Sequence, residues 1–134
     1  MSESFRDLIV WQRAMALVTD IYVATEAFPS REKYGLTNQI CRAAVAIPSD
    51  IAEGKGRLSK KEFLQMLARA RGSTFEVQTQ LEISRNLQFL ANDTFATLEA
   101  KAAEVGRLLN GLIANLEKQI EDQDPPKPPR SPKS

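Results

Sequence analysis

The sequence contains no histidine and one cysteine, Cys41. The missing imidazole excludes Ser-His-Asp and Cys-His catalysis, histidine-based zinc sites and the Glu-x-x-His di-iron centres of ferritin-like bundles. One thiol excludes an intrachain disulfide and a thiolate cluster. Aromatic residues make up 7% of the chain, too sparse to interleave with basic residues as stacking platforms for single-stranded bases. No apolar run approaches the ~18–20 residues of a membrane span, and no basic-then-apolar leader opens the chain. The expectation is a soluble, cytoplasmic protein without cofactor or metal. An enzyme would have to work without its commonest tools.

What is present suits one folded unit: 134 residues, 43% hydrophobic and 26% charged. The net charge of +1 conceals a pattern. Residues 54–71 carry Lys55, Arg57, Lys60, Lys61, Arg69 and Arg71 against Glu62, a local +5. Residues 92–124 carry seven acids against Lys101, Arg107 and Lys118, a local −4. The asymmetry, rather than the total, bears on partners.

Residues 1–124 read as a helical domain. Residues 125–134, PPKPPRSPKS, hold five of the seven prolines and no other apolar side chain. They are expected to be a disordered or polyproline II basic tail, either solvated or a PxxP ligand. The first helix spans about Arg6–Phe28 with a stripe Trp11, Met15, Val18, Tyr22, and Pro29 stops it. The second spans about Lys33–Glu53 with Leu36, Ile40, Ala43, Ile47 and Ile51 on one face. Pro48 should kink it, and Gly54 and Gly56 should end it through a left-handed cap. The third opens with the capping-box spelling Ser59-Lys60-Lys61-Glu62 and continues as Phe63, Leu67, Ala70, Thr74, Val77, Leu81, Ser84, Leu87. The fourth starts at Asn92-Asp93 and repeats Phe95, Leu98, Ala102, Val105, Leu109, Leu112, Leu116, the seam of left-handed helix packing. Four amphipathic helices with short connections specify an all-α, antiparallel up-down four-helix bundle.

Several stretches are apolar over more than one face: Leu8-Ile9-Val10-Trp11, Ile21-Tyr22-Val23, and Phe63-Leu64 with Met66-Leu67. One four-helix core cannot take all of them, so the surplus predicts self-association. The competing expectation is that the N-terminal stretch folds back over the bundle.

The run RAAVAIPSDIAEGKGR (Arg42–Arg57), followed by KEFLQMLARARGSTFEVQTQLEIS (Lys61–Ser84), resembles the four-helix-bundle family of 23S rRNA intervening-sequence proteins. So do FRDLIVWQRAMALV (Phe5–Val18) and EAFPSREKYGLTNQI (Glu26–Ile40). The resemblance covers about residues 5–120 and is most specific in IPSDIAEG (Ile47–Gly54) with the later Gly72-Ser73. The chain departs from the pattern at Ala46, Asp50 and Lys55, where serine, asparagine and often an aromatic are expected. The resemblance implies a ring-like homopentamer. It further implies association with RNA, and, in the branch of diversity-generating retroelement accessory proteins, with a reverse transcriptase and its template RNA. Glu104–Leu116 is similar to the last helix of that branch.

The candidate nucleic-acid-binding residues are Lys55, Arg57, Lys60, Lys61, Arg69 and Arg71. The first four flank a turn where Ser59 places a helix N-terminus, and the helix dipole adds partial positive charge suited to phosphate. Repetition around a ring would sum the field. The alternative is a solvated loop. Asp50 and Glu53 form the one carboxylate pair that could do acid–base work. The structural alternative is pairing of Glu53 with Arg42 or Arg69 to buttress the Pro48 region. Glu76 and Glu82 read as surface or ion-pair residues, Cys41 as a small buried apolar side chain and Trp11 as a packing anchor. Gly72 reads as a site where another helix, the second, comes close. The functional alternatives are therefore an RNA-binding oligomer and a protein-interaction scaffold without nucleic-acid affinity.

Overall fold

The computed structural model describes residues 4–123. The Pro-rich segment 125–134, and with it the tail expectation and any PxxP ligand, lies outside the described residues. The described residues hold four α-helices, α1 (Ile9–Thr25), α2 (Leu36–Lys55), α3 (Lys60–Asn86) and α4 (Asn92–Gln123), with short 3-10 turns at Phe5–Asp7 and Ser30–Glu32. There is no β-strand among the described residues.

The backbone of each helix lies close to two neighbours, α1 to α2 and α4, and α3 to α2 and α4, while the backbones of the diagonal pairs stay apart. Side-chain pairs fix the directions. Arg71 meets Asn110 and, further along α3, Gln78 meets Glu99 earlier in α4, so α3 and α4 run antiparallel. Asp50 faces Arg69 while Gly54 faces Phe63 and Met66, so α2 and α3 are antiparallel as well. Connections of a few residues impose this arrangement on α2–α3–α4. The result is the expected up-down bundle.

The core stripes are set by 3.6-residue periodicity. Ile40, Ala43, Ile47 and Ile51 of α2 are buried as anticipated, with Leu67, Ala70, Thr74, Val77, Leu81 and Ser84 of α3. Thr74 and Ser84 donate to the carbonyls of Ala70 and Gln80, which satisfies both hydroxyls inside the core.

The structure corrects other expectations. In α1 the core takes Val10, Ala14, Leu17 and Ile21, one residue before the anticipated stripe, leaving Trp11 and Val18 half-buried and Met15 and Tyr22 exposed. Two adjacent apolar stripes occupy this helix, and periodicity alone does not rank them. In α4 the seam passes from Leu109 to buried Ile113 rather than Leu112, because a straight helix drifts from a strict seven-residue repeat. α1 begins at Ile9, not near Arg6; the preceding turn packs Phe5 edge-on against Trp11 at 5.3 Å between ring centroids.

α2 runs on through Pro48, whose ring is buried, as the expectation of a proline inside the helix requires. No glycine has positive φ among the described residues, and Gly56 closes α2 at φ −83°, so the left-handed cap is absent there. Gly54, not Gly72, is where α2 and α3 come close. A Cβ on Gly54 would lie 2.8 Å from Met66 Cβ and 2.9 Å from Phe63 Cδ1, whereas one on Gly72 would meet nothing within 4 Å.

Candidate nucleic-acid interface

The α2–α3 corner is built by two helix ends. α2 terminates at Lys55, Gly56 caps it, and three residues later Ser59 starts α3. Ser59 Oγ accepts from the Glu62 backbone N–H at 3.1 Å. The Glu62 carboxylate lies 3.4 Å from the Ser59 hydroxyl rather than reaching back to a backbone N–H, so half of the capping box is formed. Lys55, Arg57, Lys60 and Lys61 are thereby gathered around an α-helix N-terminus. Leu58 stands fully exposed between them.

The six predicted basic residues do not form one patch. Arg57 is held by Glu53 at 3.1 Å, one turn back on the same helical path. Arg69 lies 4.0 Å from Asp50 across the α2–α3 seam. Arg71 turns to the other side of α3 and donates to Asn110 Oδ1 at 3.3 Å. Lys55, Lys60 and Lys61 have no carboxylate within 4.0 Å among the described residues, which leaves three lysines as the free charge of the corner.

The carboxylate pair separates in the same way. Asp50 and Glu53 each face a different arginine, and Arg42 engages neither. Burial pushes the Asp50 carboxyl above the usual aspartate range; Arg69 pulls it down less strongly, and Glu53 adds to the rise. No group of three or more metal-ligating side chains occurs among the described residues.

Among the clefts that the sequence did not announce are two with polar groups from facing helices. One of about 620 Å³ lies between α1, α4 and the α3–α4 connection, and its Asp20 and Lys101 already pair with each other. A second, of about 370 Å³, lies between α2 and α3. Its polar residues are scattered from position 38 to 80, so no local motif announces them.

Of the apolar surplus, Phe63, Leu64, Met66 and Leu67 are half or fully buried within the chain, and Leu8 and Trp11 fold back against the core. Ile9, Tyr22 and Val23 stay exposed, joined by Phe75 and Ile83 on α3 and by Leu87, which was expected on the core stripe but lies past the last turn of α3 as its C-cap.

Residues 6–111 match the family model for 23S rRNA-intervening sequence proteins. The chain belongs to that family. A solved structure of a protein of unknown function from the S23 ribosomal protein family of Bacteroides thetaiotaomicron VPI-5482 is similar to it, with TM-score 0.73 and 18% identity. The match covers 79% of this chain and 96% of that one, and at such identity it speaks for the fold alone. No curated protein matches the chain. The motif Ile47–Gly54 of this 23S rRNA-intervening sequence protein now has a structural reading. Ile47, Pro48, Ile51 and Gly54 are its buried face, Glu53 pairs with Arg57 inside the lysine corner, and Asp50 faces Arg69 two turns further along α3. No described helix is long and apolar enough to cross a membrane.

Proposed function

We propose that this chain is a non-enzymatic, homo-oligomeric bundle protein that binds RNA through the α2–α3 corner. The supporting observation is the set of three lysines, Lys55, Lys60 and Lys61, without acidic partners at a capped helix N-terminus. Lysine charge and helix dipole act together there on a phosphate backbone. The exposed apolar side chains on α1 and α3 support assembly of several copies, and the family resemblance supports a ring of five. The narrowest form of the proposal is service as an accessory factor to a reverse transcriptase and its template RNA.

A scaffold without nucleic-acid affinity is the second reading. It is favoured by the internal neutralisation of Arg57 and Arg69 and by the divergence of Arg71. Native mass spectrometry of the chain with and without a structured RNA separates the two. The RNA reading expects an oligomer that takes up RNA. Its affinity should fall with salt, and the slope should drop by about one for each phosphate-contacting lysine replaced by alanine. An oligomer that takes up no RNA selects the scaffold, and salt-independent binding, or a slope unchanged in the Lys55, Lys60, Lys61 triple alanine variant, overturns the lysine corner as the RNA site.

A further inference from the structure

The cleft between α2 and α3 is bounded by six polar side chains: Asn38, Gln39 and Arg42 from α2, and Ser73, Glu76 and Gln80 from α3. None of the six side chains makes a hydrogen bond or ion pair among the described residues. Gln80 Oε1 is sealed from solvent with no partner, an arrangement that ordinarily costs free energy. Ala43 and Ala46 leave the room between the walls. The α2 wall offers the Arg42 guanidinium and the α3 wall the Glu76 carboxylate, and the two stay more than 4.0 Å apart. Their charges offset each other, so the cleft is not built for phosphate. It suits a flat neutral group that presents acceptors to one wall and donors to the other.

Among the standard bases, guanine has that pattern. O6 and N7 form a paired acceptor edge for a guanidinium, and N1–H with the N2 amino group forms a paired donor edge for a carboxylate. The second N2 hydrogen is a donor for the Gln80 amide oxygen once that side chain turns its sealed Oε1 toward the cleft. Adenine, cytosine and uracil each set an acceptor beside the donor on that edge, which would face Glu76 with like partial charge. The cleft also lies on the same two helices as the lysine corner. Ser73 is ~18 Å along α3 from Lys61, with the Arg69–Asp50 pair between.

We propose that the α2–α3 cleft binds a guanine base, with Arg42 and Glu76 reading its two edges. The inference deepens the RNA reading and rests on it for the source of the base; a free guanine nucleotide has the same edge chemistry. The test is an NMR titration of the full chain with GMP and with two analogues. Inosine monophosphate lacks the N2 amino donor, and 7-deaza-GMP lacks the N7 acceptor. GMP is expected to shift the backbone signals of Arg42, Ser73 and Gln80 and to bind roughly fivefold or more tightly than either analogue, AMP, CMP or UMP.

Glu76→Ala should narrow the difference between GMP and inosine monophosphate, and Arg42→Ala the difference between GMP and 7-deaza-GMP. Both side chains are exposed, so both variants keep the fold. Equal binding of all nucleotides, or no shift at the cleft up to millimolar GMP, overturns the proposal. A uridine oligomer carrying one guanosine or one inosine identifies the source. Preference for the guanosine oligomer supports an RNA base. Salt-dependent binding of both oligomers alike overturns the cleft and leaves the lysine corner standing. Discrimination among nucleotides without any RNA binding overturns the RNA source and leaves a site for free guanine nucleotide.

Discussion

Gly54 and Gly72 show how a residue type acquires its meaning from its neighbours. Both interrupt helices, where glycine costs ~1 kcal/mol relative to alanine. At Gly54 the absent Cβ lets α2 approach Met66 and Phe63, and the nearest atom, Met66 Cβ, cannot swing aside. Gly54→Ala should therefore destabilise the chain by ~1–3 kcal/mol, as overpacking does. Gly72→Ala, with open space around it, should stabilise by up to ~1 kcal/mol. Paired urea melts of the two variants check both signs.

Asp50 makes a second residue-scale case. Its carboxyl titrates above the ordinary range chiefly because it is buried. The folded chain thus holds a proton more tightly than the unfolded one, and stability falls as pH rises from the ordinary aspartate range through the raised value. Asp50→Asn, which restores the residue of the family pattern, should be more stable than the natural sequence at neutral pH. The advantage should vanish as pH drops below the ordinary range. Melts from pH 3 to pH 7 test this; an advantage that grows on acidification would contradict it.

At the scale of elements, helix ends carry the information. Ser59 announces α3 in the sequence, and the structure keeps it as the cap. The end of α3 was not announced, because no glycine stands there. Gln88 adopts φ 64°, its N–H donates to the Arg85 carbonyl at 2.9 Å, and the Phe89 N–H donates to the Ser84 carbonyl at 2.8 Å. This is the Schellman ending with glutamine in the left-handed position. Phe89 then lies against Phe28, 5.5 Å between centroids, which tethers the ending to the α1–α2 connection. Left-handed backbone costs a side-chain-bearing residue about 1 kcal/mol. Gln88→Gly should recover on the order of 0.5–1 kcal/mol in a thermal melt, whereas Ser59→Ala should lose about 1 kcal/mol. The stripes of α2 and α3 were legible because their main apolar repeats run unbroken from Ile40 to Ile51 and from Leu67 to Leu81, although Phe75 and Ile83 stand off the α3 stripe and the expected Leu87 falls beyond it. Those of α1 and α4 were legible only to within one residue, since apolar side chains stand on both sides of the true seam.

For the whole molecule, the question is what covers the outer faces. Phe75 and Ile83 are 56% and 41% exposed on α3, and Tyr22 and Val23 are 50% and 62% exposed on α1. Scattered singly, such side chains are ordinary on a monomer; gathered into a patch on one outer face they mark a partner surface. Phe75→Glu combined with Ile83→Glu leaves the core untouched, and it should reduce the mass seen by light scattering at micromolar concentration. A natural-sequence chain that already scatters as a monomer would remove the assembly half of the proposed function.

The sequence by itself determined the helical class, the order of the elements, the α3 start and the clustering of lysines around it. These depend on periodicity, capping chemistry and adjacency along the chain, which are local. Only the tertiary structure decided which stripe of α1 faces inward, which glycine admits a neighbouring helix, and which basic residues remain free. It alone joined Arg42 of α2 to Glu76 and Gln80 of α3 across one cleft. Those outcomes depend on what stands opposite a side chain, and the opposing group comes from a helix tens of residues away, beyond the reach of any local pattern.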